Sequence, residues 1–295
     1  MNFSLNPLTD LQTILSYSFM RNAFIAGTLV AIIAGIVGYF VVIRRSSFAA
    51  HALSHIGFSG AAGAVLVGFN PIAGLLAFTA GGGIFMALLG KKAAARDVQI
   101  GTVLAFMLGL GVLFISLYKG YATNAYSLLF GEILGVSSND VIITLVASAV
   151  ILTAMAIVYR RLLFTSLDED VAEARGVSTM AMNIIFMLLV AIATSVSVQF
   201  VGVLLIFSLM VTPAAIAQQL SRRPAHGIAI SVTVAILATW FGLFISNYVN
   251  APAGFFITSF VFGVYLLVRL IGWLKQFSWG AGKATAQPKE PQISR

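Results

Sequence analysis

The sequence predicts an all-α protein, a polytopic transmembrane helix bundle with about eight or nine spans. Hydrophobic residues make up 60% of the 295 residues and charged residues only 9%, whereas a soluble domain carries about a quarter charged residues. The nine acidic residues all fall at the ends of long apolar runs or between them. A chain with so few charges cannot cover a water-facing surface, and most of its surface must therefore face lipid.

Apolar runs of about the twenty residues that cross a bilayer define the individual elements. We expect spans at residues 19–43, 47–70, 72–90, 98–118, 141–159, 179–198, 202–220, 228–248 and 255–272. An eight-span arrangement follows if one weak segment only dips into the membrane. Residues 119–139 mix polar and aromatic side chains, which indicates an outer loop with a short interfacial or re-entrant helix.

Paired basic residues predict the orientation. Each pair closes or opens an apolar stretch: Arg44-Arg45, Lys91-Lys92, Arg160-Arg161 and Arg222-Arg223. Because Lys and Arg concentrate in cytoplasmic loops, the N-terminus is expected outside and the C-terminus in the cytoplasm. The same distribution argues against nucleic acid as a partner, despite a net charge of +8. We expect an outer segment at 1–14, a transmembrane domain at 15–272 and a basic, disordered cytoplasmic tail at 273–295.

A histidine pair lies within the second predicted span. His51 and His55 are two of only three histidines in the chain, and a spacing of four places both imidazoles on one helix face. At about 1.5 Å per residue, His55 lies about 12–15 Å into its helix, within the hydrocarbon zone. Imidazole is the commonest protein ligand for transition metals, so the pair predicts a transit site for a metal ion. The alternative is a structural pair that is hydrogen-bonded to a neighbouring helix.

Several kinds of site are excluded by what the sequence lacks. The chain contains no cysteine, which excludes disulfides and thiolate metal ligands. Ala52 follows His51, so the His-Glu-x-x-His motif of a metalloprotease is absent. No Gly-x-x-x-x-Gly-Lys-[Ser/Thr] loop is present to bind ATP. The chain therefore cannot be the subunit that hydrolyses ATP, and we expect no enzyme and no permanently bound cofactor.

Three further segments have distinct patterns. The Phe164–Gly176 segment holds four of the nine acidic residues, with Gly176 as an expected helix C-cap; it is either a solvated loop helix or a docking helix for a cytoplasmic partner. Pro213 lies inside an apolar span and predicts a helix kink. Glycines at 57, 60 and 63 predict close helix contacts, since small residues allow backbones to approach.

These elements, in this order, resemble the integral-membrane permease of the zinc/manganese/iron ABC importers. The resemblance covers roughly residues 15–272. It rests on Ser54-His55 with Gly57 and Gly60, and on four further segments, at residues 129–137, 164–176, 201–214 and 252–254.

The resemblance implies a homodimeric permease in a bacterial plasma (inner) membrane, with a cytoplasmic ATP-binding subunit and an extracytoplasmic metal-binding protein as partners. It implies that the loop at 162–177 couples to the ATPase through Phe164, Asp168, Glu169, Asp170, Ala172 and Gly176.

The resemblance also implies that His55 and the residue one turn earlier line the path of a divalent metal ion, the transported substrate. That earlier position is commonly Asp, and here it is His51. A nitrogen ligand shifts the preference towards zinc over manganese, with iron also open.

Two alternatives remain at this stage. One is a secondary metal carrier driven by protons or sodium, although such carriers usually place carboxylates within their spans. The other is an ABC permease for a chelated metal or cobalamin, which needs a wider pore.

Overall fold

The computed structural model describes residues 16–89, 93–118, 131, 135–249 and 251–284. No strand occurs among them, which confirms the predicted all-α fold. The helices are α1 (Ser18–Ile43), α2 (Ser47–Leu66), α3 (Pro71–Leu88), α4 (Ala93–Leu117), α5 (Ser138–Leu167), α6 (Glu169–Ala174), α7 (Thr179–Val201), α8 (Val203–Leu220), α9 (Pro224–Val249) and α10 (Ala253–Ala284).

Seven helices in the described ranges are long and apolar enough to cross a membrane, namely α1, α3, α4, α5, α7, α9 and α10. Helices α2 and α8 complete the set of apolar segments expected from the sequence. Helix α2 is made more polar by His51, His55 and its serines, and the apolar part of α8 is the shorter segment Leu205–Leu220. The interfacial helix predicted within 119–139 falls almost entirely outside the described residues.

Helices α1 and α7 form the interior of the bundle. Most of their side chains are buried, including Phe40 and Phe186. Helix α1 packs against α5, α7, α8 and α9, and α7 also packs against α3. Large apolar side chains of α4, α5 and α10 are exposed, such as Phe106, Ile157 and Leu267. These outer helices present the surface expected to face lipid.

Glycines bring α2, α3 and α4 into close contact. A Cβ atom added to Gly60 would overlap the carbonyl oxygen of Gly74, and the reverse is also true. Gly57 lies against Thr79 of α3, and Gly63 lies against the Phe114 ring of α4. The close helix contacts predicted from the three glycines of α2 are therefore confirmed.

The C-terminal helix extends beyond the predicted end of the transmembrane domain. Helix α10 continues to Ala284, and no proline interrupts the chain between Pro252 and Pro288. The tail predicted from residue 273 stays a prediction. The predicted outer segment at 1–14 and the last residues, 285–295, lie outside the described part.

Candidate metal transit site and coupling helix

Helix α2 brings the two imidazoles together, as its sequence spacing predicts. The ring centroids of His51 and His55 are 4.7 Å apart, with the planes inclined at 80°. His55 is buried and His51 is half-buried. Both rings therefore occupy one face of α2 inside the bundle.

The two imidazoles have nitrogens without protein partners. The Nδ1 atoms of His51 and His55 are both buried, and neither has a hydrogen-bond partner among the described residues. Leaving a buried polar atom unpaired costs about 1–3 kcal/mol, so both nitrogens favour pairing with a ligand or a water molecule. The structural alternative requires a hydrogen bond from an imidazole to a neighbouring helix, and neither Nδ1 atom makes one among the described residues.

The nearby serines are committed to the backbone. Ser54 Oγ donates to the carbonyl oxygen of His51 at 2.6 Å. Ser59 Oγ lies 3.2 Å from the carbonyl oxygen of His55 and also contacts the carbonyl oxygen of Met107 in α4. Nor do the described residues contain any group of three or more His, Cys, Asp or Glu side chains that could hold a metal ion. Within one protomer, the candidate site thus provides two nitrogen ligands.

Helix α8 borders the histidine pair. The Phe207 ring lies 5.0 Å from the His51 ring, centroid to centroid, at an inclination of 72°. Pro213 lies inside the same helix, six residues further on, and the kink predicted there stays a prediction. Sequence reasoning missed Phe207 because it is one of 23 phenylalanines and no local pattern distinguishes it.

A glycine contact joins the outer loop to the start of α8. Gly202 separates α7 from α8 with φ 83° and ψ 160°, a backbone conformation that favours glycine. Gly131 has φ 75°, and a Cβ atom there would overlap the backbone of Phe200 and Gly202. Only glycine therefore fits at either position.

The short helix α6 is capped at both ends. Asp168 Oδ1 accepts a hydrogen bond from the Val171 amide at 3.0 Å. At the other end, Gly176 has φ 79° and donates to the Glu173 carbonyl at 2.9 Å, while Val177 donates to the Ala172 carbonyl at 3.0 Å. This pair of bonds is a Schellman motif, and the capping role predicted for Gly176 is confirmed.

The residues predicted to couple to the ATPase occupy different environments. Asp168, Glu169 and Asp170 are exposed, whereas Ala172 is fully buried. Phe164 belongs to α5, not to a loop. Its ring lies 5.9 Å from the Arg175 guanidinium carbon, which fixes the end of α6 against α5.

The apolar stripe predicted for this segment is partly exposed. Leu167 is 71% exposed and Val171 is 44% exposed. These side chains flank the three carboxylates and give α6 a mixed apolar and acidic outer surface.

Arg44 joins three helix ends and was missed as a functional candidate. Its guanidinium donates to Thr165 Oγ1 at 3.0 Å and Ser166 Oγ at 3.1 Å, both in α5. It also bonds Asn183 Oδ1 in α7 and lies 5.2 Å from the centre of the Phe186 ring. Sequence reasoning used Arg44 only as an orientation signal, because its partners lie more than a hundred residues away.

Seven helices long and apolar enough to cross a membrane, packed around a buried histidine pair, are typical of a subunit of a multi-pass membrane transporter. Comparison with known proteins identifies the family: the chain belongs to the ABC 3 transport family, whose model matches residues 16–272. The predicted family resemblance is confirmed. The chain is a permease of a metal ABC importer, a translocation component and not an enzyme, which excludes the secondary carrier.

Individual relatives agree with this assignment. The manganese transport system membrane protein MntC of Listeria monocytogenes is 29% identical over 245 residues, covering 83% of this chain and 87% of that protein. The manganese import system permease protein ScaB of Streptococcus gordonii is 30% identical and covers 83% and 88%.

A solved structure extends the agreement to three dimensions. A chain in PsaBC from Streptococcus pneumoniae, solved in complex with a Fab, matches with a TM-score of 0.79 and 31% identity. The match covers 88% of this chain and 95% of that chain.

Proposed function

We propose that this chain forms the metal path of an ATP-driven importer of manganese, and that His51 and His55 form its transit site. The observation that carries the proposal is the imidazole pair on one face of α2, with both Nδ1 atoms buried and without a protein partner. Neutral imidazole is a common ligand for divalent transition metals. Two ligands per protomer hold an ion weakly enough to release it, as transport requires.

The identity of the metal rests on two arguments that disagree. Two relatives, 29% and 30% identical to this chain over 83% of its length, are named for manganese. Their names favour manganese as the substrate. The all-nitrogen pair favours zinc, because imidazole suits zinc better than manganese. We give more weight to the relatives, because two imidazoles alone do not complete a metal site and further ligands would alter the preference. Zinc is the second candidate.

The path requires more than one chain. A homodimer would contribute four imidazoles, two from each protomer. An extracytoplasmic metal-binding protein would deliver the ion, and an ATP-binding subunit would dock on α6 from the cytoplasm. With these partners, the protein would lie in a bacterial plasma membrane, and its C-terminus would be in the cytoplasm.

The proposal includes a domain organisation. Residues 15–272 form the permease domain and residues 162–177 form the ATPase-coupling segment, including Phe164, Asp168, Glu169, Asp170, Ala172 and Gly176. Movement of α6 on ATP hydrolysis would switch the bundle between outward and inward access, and a kink at Pro213 in α8 would allow that helix to bend beside the histidines.

The test is uptake by proteoliposomes that contain the permease, its ATPase and its binding protein. We expect ATP-dependent uptake of free Mn²⁺, with Zn²⁺ taken up more slowly. Faster uptake of Zn²⁺ would select the second candidate. Uptake of a metal chelate or cobalamin, without uptake of the free ion, would instead support the wider-pore permease.

The transit site has its own prediction. The double variant His51→Ala/His55→Ala should lose ATP-dependent metal uptake, because both nitrogen ligands are removed, while the complex still assembles. His226→Ala is the matched control, since this third histidine lies near the start of α9 and away from the pair. Wild-type uptake by the double variant would contradict a transit site at these residues.

A further inference from the structure

The Arg44 guanidinium holds both chain segments that flank helix α6. Thr165 and Ser166 lie in the last turn of α5, immediately before α6, and both accept hydrogen bonds from Arg44. Asn183 lies in the first turns of α7, immediately after α6, and its Oδ1 atom accepts another. Arginine suits this role because its planar fork carries five donors in fixed directions. One side chain therefore contacts the structure on either side of the coupling helix.

The backbone of Arg44 lies in the short turn between α1 and the histidine helix α2. Its amide donates to the Phe40 carbonyl at 2.9 Å, and the Ser46 amide donates to the Val41 carbonyl at 2.9 Å, so the turn is bonded to the end of α1. Arg45 completes the turn with φ 53°, a strained conformation for a residue with a side chain. Ser46 occupies the N-cap position of α2, which begins at Ser47, without a side-chain capping bond. Only Arg45 and Ser46 therefore separate Arg44 from the helix that carries His51.

The surroundings of the guanidinium leave room for such a displacement. A cavity of about 180 Å³ is lined by Arg44, Asn183 and Ser46, and also by Glu169 and Glu173 of α6. Glu173 accepts a hydrogen bond from the Thr179 hydroxyl at the start of α7. The cavity therefore brings the cation of the α1–α2 turn and two carboxylates of the coupling helix to one site.

We propose that Arg44 is the positioning residue that transmits movement of α6 to the histidine pair. The inference rests on the proposed function, in which the ATPase docks on α6. In the arrangement seen here, Arg44 bonds the ends of α5 and α7. When α6 moves, the adjoining ends of α5 and α7 move with it, and the guanidinium follows them. The α1–α2 turn moves with it and changes the position of His51.

The experiment measures transport and ATP hydrolysis together in the reconstituted complex. For Arg44→Gln we expect the ATPase to co-purify and to hydrolyse ATP, while the metal ions transported per ATP fall by about two- to thirtyfold, the range found for residues that couple sites. Arg45→Gln is the matched control, because Arg45 is adjacent, equally charged and exposed. It should leave the ratio unchanged.

A second variant keeps the inference testable if Arg44→Gln fails to fold. Thr165→Val/Asn183→Ala retains Arg44 but removes two of its partners, and it should lower the same ratio. An unchanged ratio in either folded variant, with an active wild-type complex, would overturn the inference. Failure of the wild-type complex to take up metal, or to bind its ATPase, would instead refute the proposed function.

Discussion

His51 lies between two aromatic rings, at 4.7 Å from His55 and 5.0 Å from Phe207, centroid to centroid. Phe207 limits the rotation of the His51 ring, and the Ser54 hydroxyl bonds the His51 carbonyl without competing for the imidazole. Packing therefore restrains the His51 ring, while its Nδ1 atom makes no hydrogen bond among the described residues. This combination is what a site needs if it binds an ion only briefly.

The ligand atom at position 51 should influence which metal is transported. Replacing His51 by aspartate exchanges a nitrogen ligand for a hard oxygen, which favours Mn²⁺ over Zn²⁺. We expect His51→Asp to raise the ratio of Mn²⁺ to Zn²⁺ uptake in proteoliposomes. His51→Asn supplies an oxygen without the charge and should raise the ratio less. A ratio that does not change with either substitution would show that His51 does not contact the ion.

At the scale of elements, α6 is a short helix whose shape depends on its caps. Six residues form too few intrahelical hydrogen bonds to be stable alone, so Asp168 and the Schellman motif at Gly176 define its ends. The buried Ala172 anchors one face of α6 to the bundle, and the exposed Val171 and Leu167 remain on the outside. The three acidic residues at 168–170 are exposed beside them.

Charge reversal on α6 tests docking. The triple variant Asp168→Lys/Glu169→Lys/Asp170→Lys should release the ATPase, because three attractive charges become repulsive for a basic partner surface. The neutral variant Asp168→Asn/Glu169→Gln/Asp170→Asn keeps an N-cap, since asparagine caps as well as aspartate, and should retain partial binding. Co-purification measures the outcome. Normal yield of the ATPase with the lysine variant would count against docking here.

The whole molecule is built from close helix contacts in which glycines replace side-chain packing. Helices α2 and α3 cross at Gly60 and Gly74, where neither position has space for a Cβ atom. Beyond this crossing, Thr79 of α3 and Ser195 of α7 share a hydrogen bond of 2.7 Å between their hydroxyls. The histidine helix is thereby fixed to the interior helix α7 through α3.

The crossing leads to a prediction about stability. Gly60→Ala should lower the melting temperature of the purified permease, because overpacking typically costs about 1–3 kcal/mol. Gly81→Ala is the matched control: Gly81 also lies in a helix, but a Cβ atom there meets nothing within 4 Å. That variant should be neutral or stabilising, since alanine is the better helix former by about 0.5–1 kcal/mol. Equal melting temperatures for the two variants would refute the packing argument.

The sequence by itself determined the features that depend on local patterns. The scarcity of charge required a membrane bundle, the four-residue spacing put His51 and His55 on one face, and Gly176 ended α6 through its left-handed backbone. The first depends on the composition of the whole chain, and the other two depend on residues within a few positions of one another, where helix geometry is decisive.

Only the tertiary structure decided which of those local features meet. Arg44 bonds Asn183, a residue 139 positions away, and Phe207 reaches His51 from α8. No periodicity encodes such neighbours, because they follow from how separate helices pack, and one Phe or Arg in the sequence resembles another. The sequence therefore located the histidine pair, whereas packing determined that Phe207 lies against it and that Arg44 bonds the helices on either side of α6.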